Sequence, residues 1–380
     1  MSARWTISLA CLALAGAAAQ EPEAGIQSLL AAGDASYMLG DYNAARLSFA
    51  AAWGLASQGA ATDPARYDVL KRLSRVSAAS GDLPAADRYL QQAISWRETT
   101  FGPDDPKLPG DLLEAFAVCR GLKDFDRALS LLRRVLALDN TATGPDSKPV
   151  ADDYSRMAEL YMDQKLADFA VGPLNLALAI RTKLAGPIDL TLLPDFDRLA
   201  DAYIVLRQYD NAEYIYRRAL VIRESAYGKM HADLIATVDG LAYACFGQQK
   251  YDQADPIYRR LIDLWVFSVG NTHPMVAVAL DKVAVFYNEQ KKYDRAKVAL
   301  DRANAIRARS LATGLEVGAN WQWEQGNAAP TKALLDRALK TVEPPDPVYD
   351  DLHQEIEAML YGLRKELAKP DPAKAAPRTK

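Results

Sequence analysis

Apolar residues recur at helical spacing in short blocks, each cut off before a long helix could form. Between Asp197 and Gly228, Leu199, Ala200, Tyr203 and Leu206 make one stripe. Gln208-Tyr209-Asp210 breaks the phase, and a second stripe runs through Ala212, Ile215, Tyr216, Ala219, Leu220 and Ile222. Gly228 follows, where a helix end calls for a residue tolerant of positive φ. The block predicts a helix–turn–helix hairpin. Neither helix can bury its apolar face alone, so hairpins must stack on one another. The next block repeats the pattern with Leu241, Ala242, Tyr251, Ala254, Tyr258, Leu261 and Gly270. The one after has Val283, Ala284, Tyr287, Tyr293, Ala296, Leu300 and Ala303.

The repetition keeps time. Gly102, Gly144, Gly186, Gly228 and Gly270 are each 42 residues apart, as are Ala86, Ala128, Ala170, Ala212, Ala254 and Ala296, with Ala45 one residue out of step. Such self-similarity predicts an all-α fold, a right-handed α-solenoid of stacked hairpins rather than one closed core. Small residues at 200/242/284 and at 212/254/296 let paired helices approach closely.

These residues resemble the tetratricopeptide repeat, whose signature is Leu, small, Tyr, Gly, Tyr, Ala, aromatic, Ala at fixed offsets. Leu199, Ala200, Tyr203, Tyr209, Ala212, Tyr216 and Ala219 match it, with Arg207 at the place of the turn glycine; Gly40 and Gly81 keep that glycine in the first two units. The 42-residue period, with Gly270-Asn271-Thr272-His273-Pro274 between units, is similar to the kinesin-light-chain variety. The match weakens around 110–122, where Phe116 replaces the small residue, and around 170–180, where Gly172-Pro173 is expected to interrupt the second helix. Seven repeats are assigned to residues 20–312 and a degenerate eighth to 313–345, with Leu334, Leu335, Ala338 and Leu339 in its second helix. Residues 346–368, with Val348, Leu352, Ile356, Met359, Leu363 and Leu367 on one face, are assigned to a helix that caps the stack, and 369–380 to a disordered tail.

The start of the chain belongs to another class. Arg4 precedes an apolar run from Trp5 to about Ala15, and Ala17-Ala18-Ala19 offers a small-x-small cleavage site before Gln20. Residues 1–19 read as a signal peptide, too short for the ~20 residues of a membrane span. Ser8-Leu9-Ala10-Cys11 resembles a lipoprotein box that would acylate Cys11, but it has Ser at its first position and little apolar sequence before it. Removal of residues 1–19 takes one arginine and no acid from a chain of net charge −4. The remaining cysteines, Cys119 and Cys245, lie three periods apart and replace tyrosines of other units (Tyr161, Tyr203, Tyr287). Units so far apart cannot meet within the ~7 Å between Cα atoms that a disulfide needs, so both read as small buried fillers. An exported chain without a disulfide framework points to a periplasmic or secreted protein, bacterial in type.

Chemistry is sparse. No His-x-x-x-His pair, CxxC, phosphate loop or nucleophile elbow occurs, so no catalytic, cofactor-binding or metal site is predicted. His231 and His273, one period apart, are expected to brace helix starts. His353 falls on the polar side of the cap helix, and Asp104-Asp105 reads as a turn between prolines. The mild acidity gives no footprint for nucleic acid.

The resemblance implies a concave groove, lined by the first helix of each repeat, that takes a protein or peptide partner. On that face Asp197, Asp239 and Asp281 form a ladder on the period, accompanied by Asp201, Ile204, Tyr243, Phe246 and Val285. The ladder would favour a ligand with donors or positive charge. Aspartate is also favoured in a first helical turn by the helix dipole, so both readings of the ladder stand. The function expected is an exported, non-catalytic adaptor. The alternative is a glycan- or ligand-binding accessory protein of the cell envelope, or an enzyme-associated regulatory subunit, with Trp321 and Trp323 the best aromatic platform. Self-assembly through the solenoid ends is a weaker third reading, which the cap helix opposes at the C-terminus.

Overall fold

Most helices end where the chain meets a residue that turns left-handed. In a computed structural model, residues 22–60, 63–325, 327–342 and 350–367 are described. The assigned signal peptide with Cys11, the prolines at 344, 345 and 347, Val348 and the tail lie outside them. The helices are α1 (Pro22–Met38), α2 (Tyr42–Ala56), α3 (Pro64–Ala79), α4 (Leu83–Phe101), α5 (Leu108–Gly121), α6 (Phe125–Thr143), α7 (Lys148–Asp163), α8 (Ala167–Ala185), α9 (Leu193–Val205), α10 (Tyr209–Tyr227), α11 (Ile235–Gly247), α12 (Tyr251–Val269), α13 (Pro274–Glu289), α14 (Tyr293–Glu324), α15 (Ala328–Thr341) and α16 (Asp350–Leu367). No strand occurs among the described residues. The fold is an all-α solenoid. The chain divides into two compact units at Leu206/Arg207, the first holding α1–α9 and the second α10–α16.

Each tight turn is built the same way. Gly40, Gly81, Lys123, Lys165, Arg207, Gln249 and Lys291 all have positive φ, the five non-glycines between 57° and 61°. Except at Arg207, a pair of backbone bonds closes the preceding helix, as where Lys123 N–H donates to Arg120 O (3.1 Å) and Asp124 N–H to Cys119 O (2.9 Å). This is a Schellman closure, normally given to glycine because other residues pay about 1–2 kcal/mol there. Asp41, Asp82 and Asp124 then cap the following helix through their side chains. At the wider turns Gly102, Gly144, Gly186, Gly228 and Gly270 have φ of 83–93°.

In the first unit, α1 to α9 pack each on its successor. One core joins α1–α3 around Phe49 and Leu73, and another joins α4–α7 around Leu90, Leu112, Leu132 and Leu160. Phe116, in the place of the usual small residue, is buried in the second. Every alanine of the 42-residue clock is sealed from solvent, Ala45 included. The helix expected to break at Gly172-Pro173 does not: α8 runs through Pro173. The proline frees the carbonyl one turn back, at exposed Phe169, where water can take the bond, while buried Ala170, Leu174 and Ala177 keep the helix seated.

In the second unit α10 to α16 follow the same rule. Gly240 lies inside α11 under the ring of Tyr216 from α10; a Cβ there would sit 2.2 Å from the ring. The assigned boundary at residue 312 falls within α14, which is continuous for 32 residues. Its later turns form a core with α15 and α16 through Ala312, Ala319, Leu335, Ala338, Leu352, Ile356 and Leu360. The buried face of α16 thus uses Leu360, with Met359 at its margin. Cys119 and Cys245 are buried free thiols.

Between α10 and the turn after α11, Glu213 accepts from Gln248 (2.9 Å) and Lys250 (2.7 Å), as well as from Arg217 (2.8 Å) on its own helix. Burial pushes its carboxyl up, but Lys250, Arg217 and Gln248 outweigh this and hold it down at about 2. A carboxyl depressed by folding adds stability above its ordinary value near 4.5 and loses it as pH falls toward 2. Glu213→Gln should therefore lower unfolding stability at pH 7 by about 2 kcal/mol, with the difference vanishing near pH 2 in urea titrations. Gly240→Ala would gain about 1 kcal/mol in an unobstructed helix. Against Tyr216 it should instead lose about 1–3 kcal/mol and lower the melting temperature.

Candidate functional site

The eight residues of the expected groove fall in both compact units. Asp197, Asp201 and Ile204 lie on α9 in the first, Asp201 exposed and the other two half-buried. Asp239, Tyr243 and Phe246 lie on α11, and Asp281 and Val285 on α13, in the second. There the two first helices are brought together: Lys282 of α13 pairs with Asp239 of α11, and Asp281 pairs with Arg307 of α14. Both acids thus carry an internal cation. Asp197 is also engaged rather than free.

What this face offers outward is apolar. Val285 is 55% exposed and Tyr243 46%, with Val278 on α13 two helical turns before Val285 also exposed. Phe246 turns inward, its ring 6.0 Å from Phe286 and 6.3 Å from Tyr251. Tyr243 stands edge-on to Tyr209 at 6.1 Å. The result is a strip of apolar tips flanked by neutralised ion pairs.

The histidines brace helix starts. His231 Nδ1 accepts from Asp233 N–H and His273 Nδ1 from Met275 N–H, both at 3.2 Å, which leaves the neutral-ring proton on Nε2. Asp105 is likewise structural, accepting from Arg97 (2.7 Å) and from Lys107 N–H (3.2 Å). Trp321 and Trp323 are exposed near the end of α14.

A second periodic set of acids escaped the sequence reading. Asp111, Asp153 and Asp195 are 42 residues apart and all buried, each near the start of a first helix. Asp111 accepts from Arg97 (2.6 Å), Lys71 (2.8 Å) and Tyr67 (2.8 Å). Burial, with Asp111 alongside, pushes the Tyr67 hydroxyl up to about 12. Asp195 pairs with Arg181 and accepts from Ser155 at 2.8 Å. Arg97 and Arg181 each lie 14 residues before their aspartate, and the same offset before Asp153 gives Asp139. Both clocks can be read in the sequence once the burial of the acids is known. Among the described residues no group of three or more His, Cys, Asp or Glu is placed to hold a metal ion, and no helix is long and apolar enough to cross a membrane.

A cleft of about 680 Å³ opens in the first unit between α2, α3 and α4, lined by Trp53, Arg66, Arg88, Gln92, Ser95 and Trp96. The Trp96 indole N–H has no partner, and Arg88 makes no ion pair among the described residues. Trp96 is steadied by Tyr67 at 5.3 Å and Phe101 at 5.7 Å.

Family models for the tetratricopeptide repeat match residues 69–107, 196–233 and 234–309. No curated protein matches the chain. Among solved structures, the chain is similar to the nearly identical TPR-like repeats of a Podospora anserina protein described as a kinesin light chain (18% identity, 55% of this chain and 99% of that one, TM-score 0.48). It is also similar to BtubC (BKLC) from P. vanneervenii (21%, 60% and 91%, TM-score 0.48). A tetratricopeptide repeat protein from Parabacteroides merdae covers more of it (15%, 79% and 99%, TM-score 0.45). The matched stretches, 69–107 and 196–309, are tetratricopeptide repeats, each built on the 42-residue hairpin with its two positive-φ turns.

Proposed function

We propose that the protein is an exported adaptor without catalysis of its own, and that the first-helix face of α11 and α13 takes a segment of a partner protein. The repeat scaffold supports a protein-binding role. The observation that carries the site is the exposed strip of Tyr243, Val278 and Val285 between ion pairs. Apolar tips supply contact area, while Asp239–Lys282 and Asp281–Arg307 offer charges of both signs to orient an extended chain or a partner helix. The acidic ladder acts here as half of a set of pairs rather than as a bare negative field. The apolar run with its small-x-small site at 17–19 supports export.

The test is affinity capture from an envelope fraction with residues 20–380, beside Tyr243→Ser/Val285→Ser and the charge reversal of Asp197, Asp239 and Asp281 to Lys. Circular dichroism of each variant checks that the helices persist. A partner held by the parent chain and lost at least tenfold by the serine variant is expected. Retention by both variants would remove this face as the site.

A second reading rests on the cleft between α2, α3 and α4. Two indoles and an arginine without an ion pair suit a sugar ring that stacks and carries an acid group. Titration with acidic oligosaccharides should quench tryptophan fluorescence, and Trp96→Phe with Arg88→Ala should abolish the change. Trp321→Phe/Trp323→Phe should leave it intact; loss of the signal there instead would move the platform to the end of α14.

A further inference from the structure

One joint in the first unit breaks the rule its neighbours follow. Where α4 meets α5, Arg97 reaches Asp111, and where α8 meets α9, Arg181 reaches Asp195. Where α6 meets α7, the corresponding residue is Asp139, so the buried Asp153 faces a second carboxylate.

Asp153 is 0% exposed. Its Oδ1 accepts from Arg156 on the next turn at 2.8 Å. Its Oδ2 is buried without a donor. Two ionised carboxylates hold only acceptors, so a bond between them requires a proton on one. Among the described residues no other cation acts on the pair. Arg181 on α8 is taken by Asp152 (2.6 Å) and Asp195, and Asp195 on α9 by Arg181 and Ser155. Asp139 from α6 and Arg156 from α7 are the charged groups that act on Asp153.

We propose that the α6–α7 joint is a proton-gated hinge, closed by a single proton held on Asp153 Oδ2 against Asp139 and loosened when that proton leaves to water. Burial is the largest effect on Asp153 and the Asp139 charge the next; together they push it up to about 7, with Arg156 opposing. Asp139 is itself raised, by burial. A carboxyl raised by folding contributes stability that is full below its ordinary value of 3.8 and is lost as pH rises through about 7. Between mildly acidic and mildly alkaline conditions the joint therefore passes from a pair sharing one proton to two like charges, that of Asp153 fully buried and that of Asp139 half-buried. The neighbouring joints, closed by permanent guanidinium–carboxylate pairs, stay shut across the same range.

Hydrogen exchange with mass spectrometry on residues 20–380 at pH 5.5 and pH 8, corrected for intrinsic exchange, reads the hinge directly. Peptides covering α7 and the end of α6 should open about thirtyfold more often at pH 8 than at pH 5.5, the loss accruing over the ~1.5 units below the titration near 7 and levelling off above it. Peptides covering α5 and α9 should not change. Asp153→Asn, shaped like the protonated acid and able to donate to Asp139, should keep the joint closed at both pH values. Asp139→Arg, which restores the pairing of the neighbours, should do the same. Loosening that persists in Asp153→Asn would overturn the proposal, as would a 13C carboxyl titration of Asp153 near 4 in the parent chain.

Discussion

Everything in this molecule depends on how closely two helices can approach. The alanines of the 42-residue clock are completely or almost completely sealed, and a helix pair held together at alanine brings backbone near backbone. Larger neighbours such as Leu90, Leu132, Leu174 and Tyr258 then fill the flanks. Because each helix touches only helices one or two places away along the chain, no distant contact corrects a local error. The packing at each joint has to be right on its own terms.

That locality explains the turns. A closed core could tolerate an imperfect hairpin, but here the angle between helices fixes where the next pair lands. The chain accepts lysine, arginine and glutamine at positive φ and still closes the Schellman bonds around all but Arg207. The strain at Lys123, Lys165, Gln249 and Lys291 is offset by two backbone hydrogen bonds per turn and by burial of the apolar faces the turn brings together.

The fold was legible because its determinants are steric and periodic. Alanine, glycine and aromatic positions repeat in sequence as they do in space, so hairpins and their order follow from pattern alone. The exceptions have local causes. Pro173 was read as a break, yet a proline in the second turn of α8 frees a carbonyl only toward solvent. The continuity of α14 was hidden because the repeat clock puts a boundary near residue 312, with Gly314 and Gly318 just beyond it, yet neither glycine turns left-handed and the helix runs on to Glu324.

Charge was less legible, for a different reason. Sequence gives the sign of a residue but not its depth. Asp239 and Asp281 look like free acids until Lys282 and Arg307 are seen beside them. Asp111, Asp153 and Asp195 look like surface aspartates, although they are among the most buried polar residues of the chain. Paired with arginine across the joint, such a residue has a cation beside it. Deprived of that partner, it must hold a proton or push its neighbour away. In a stack of near-identical joints, replacing arginine by Asp139 changes one joint and leaves its neighbours intact. A repeat architecture can therefore set one titratable joint beside others that are closed by ion pairs, because each joint draws its charges from its own few helices.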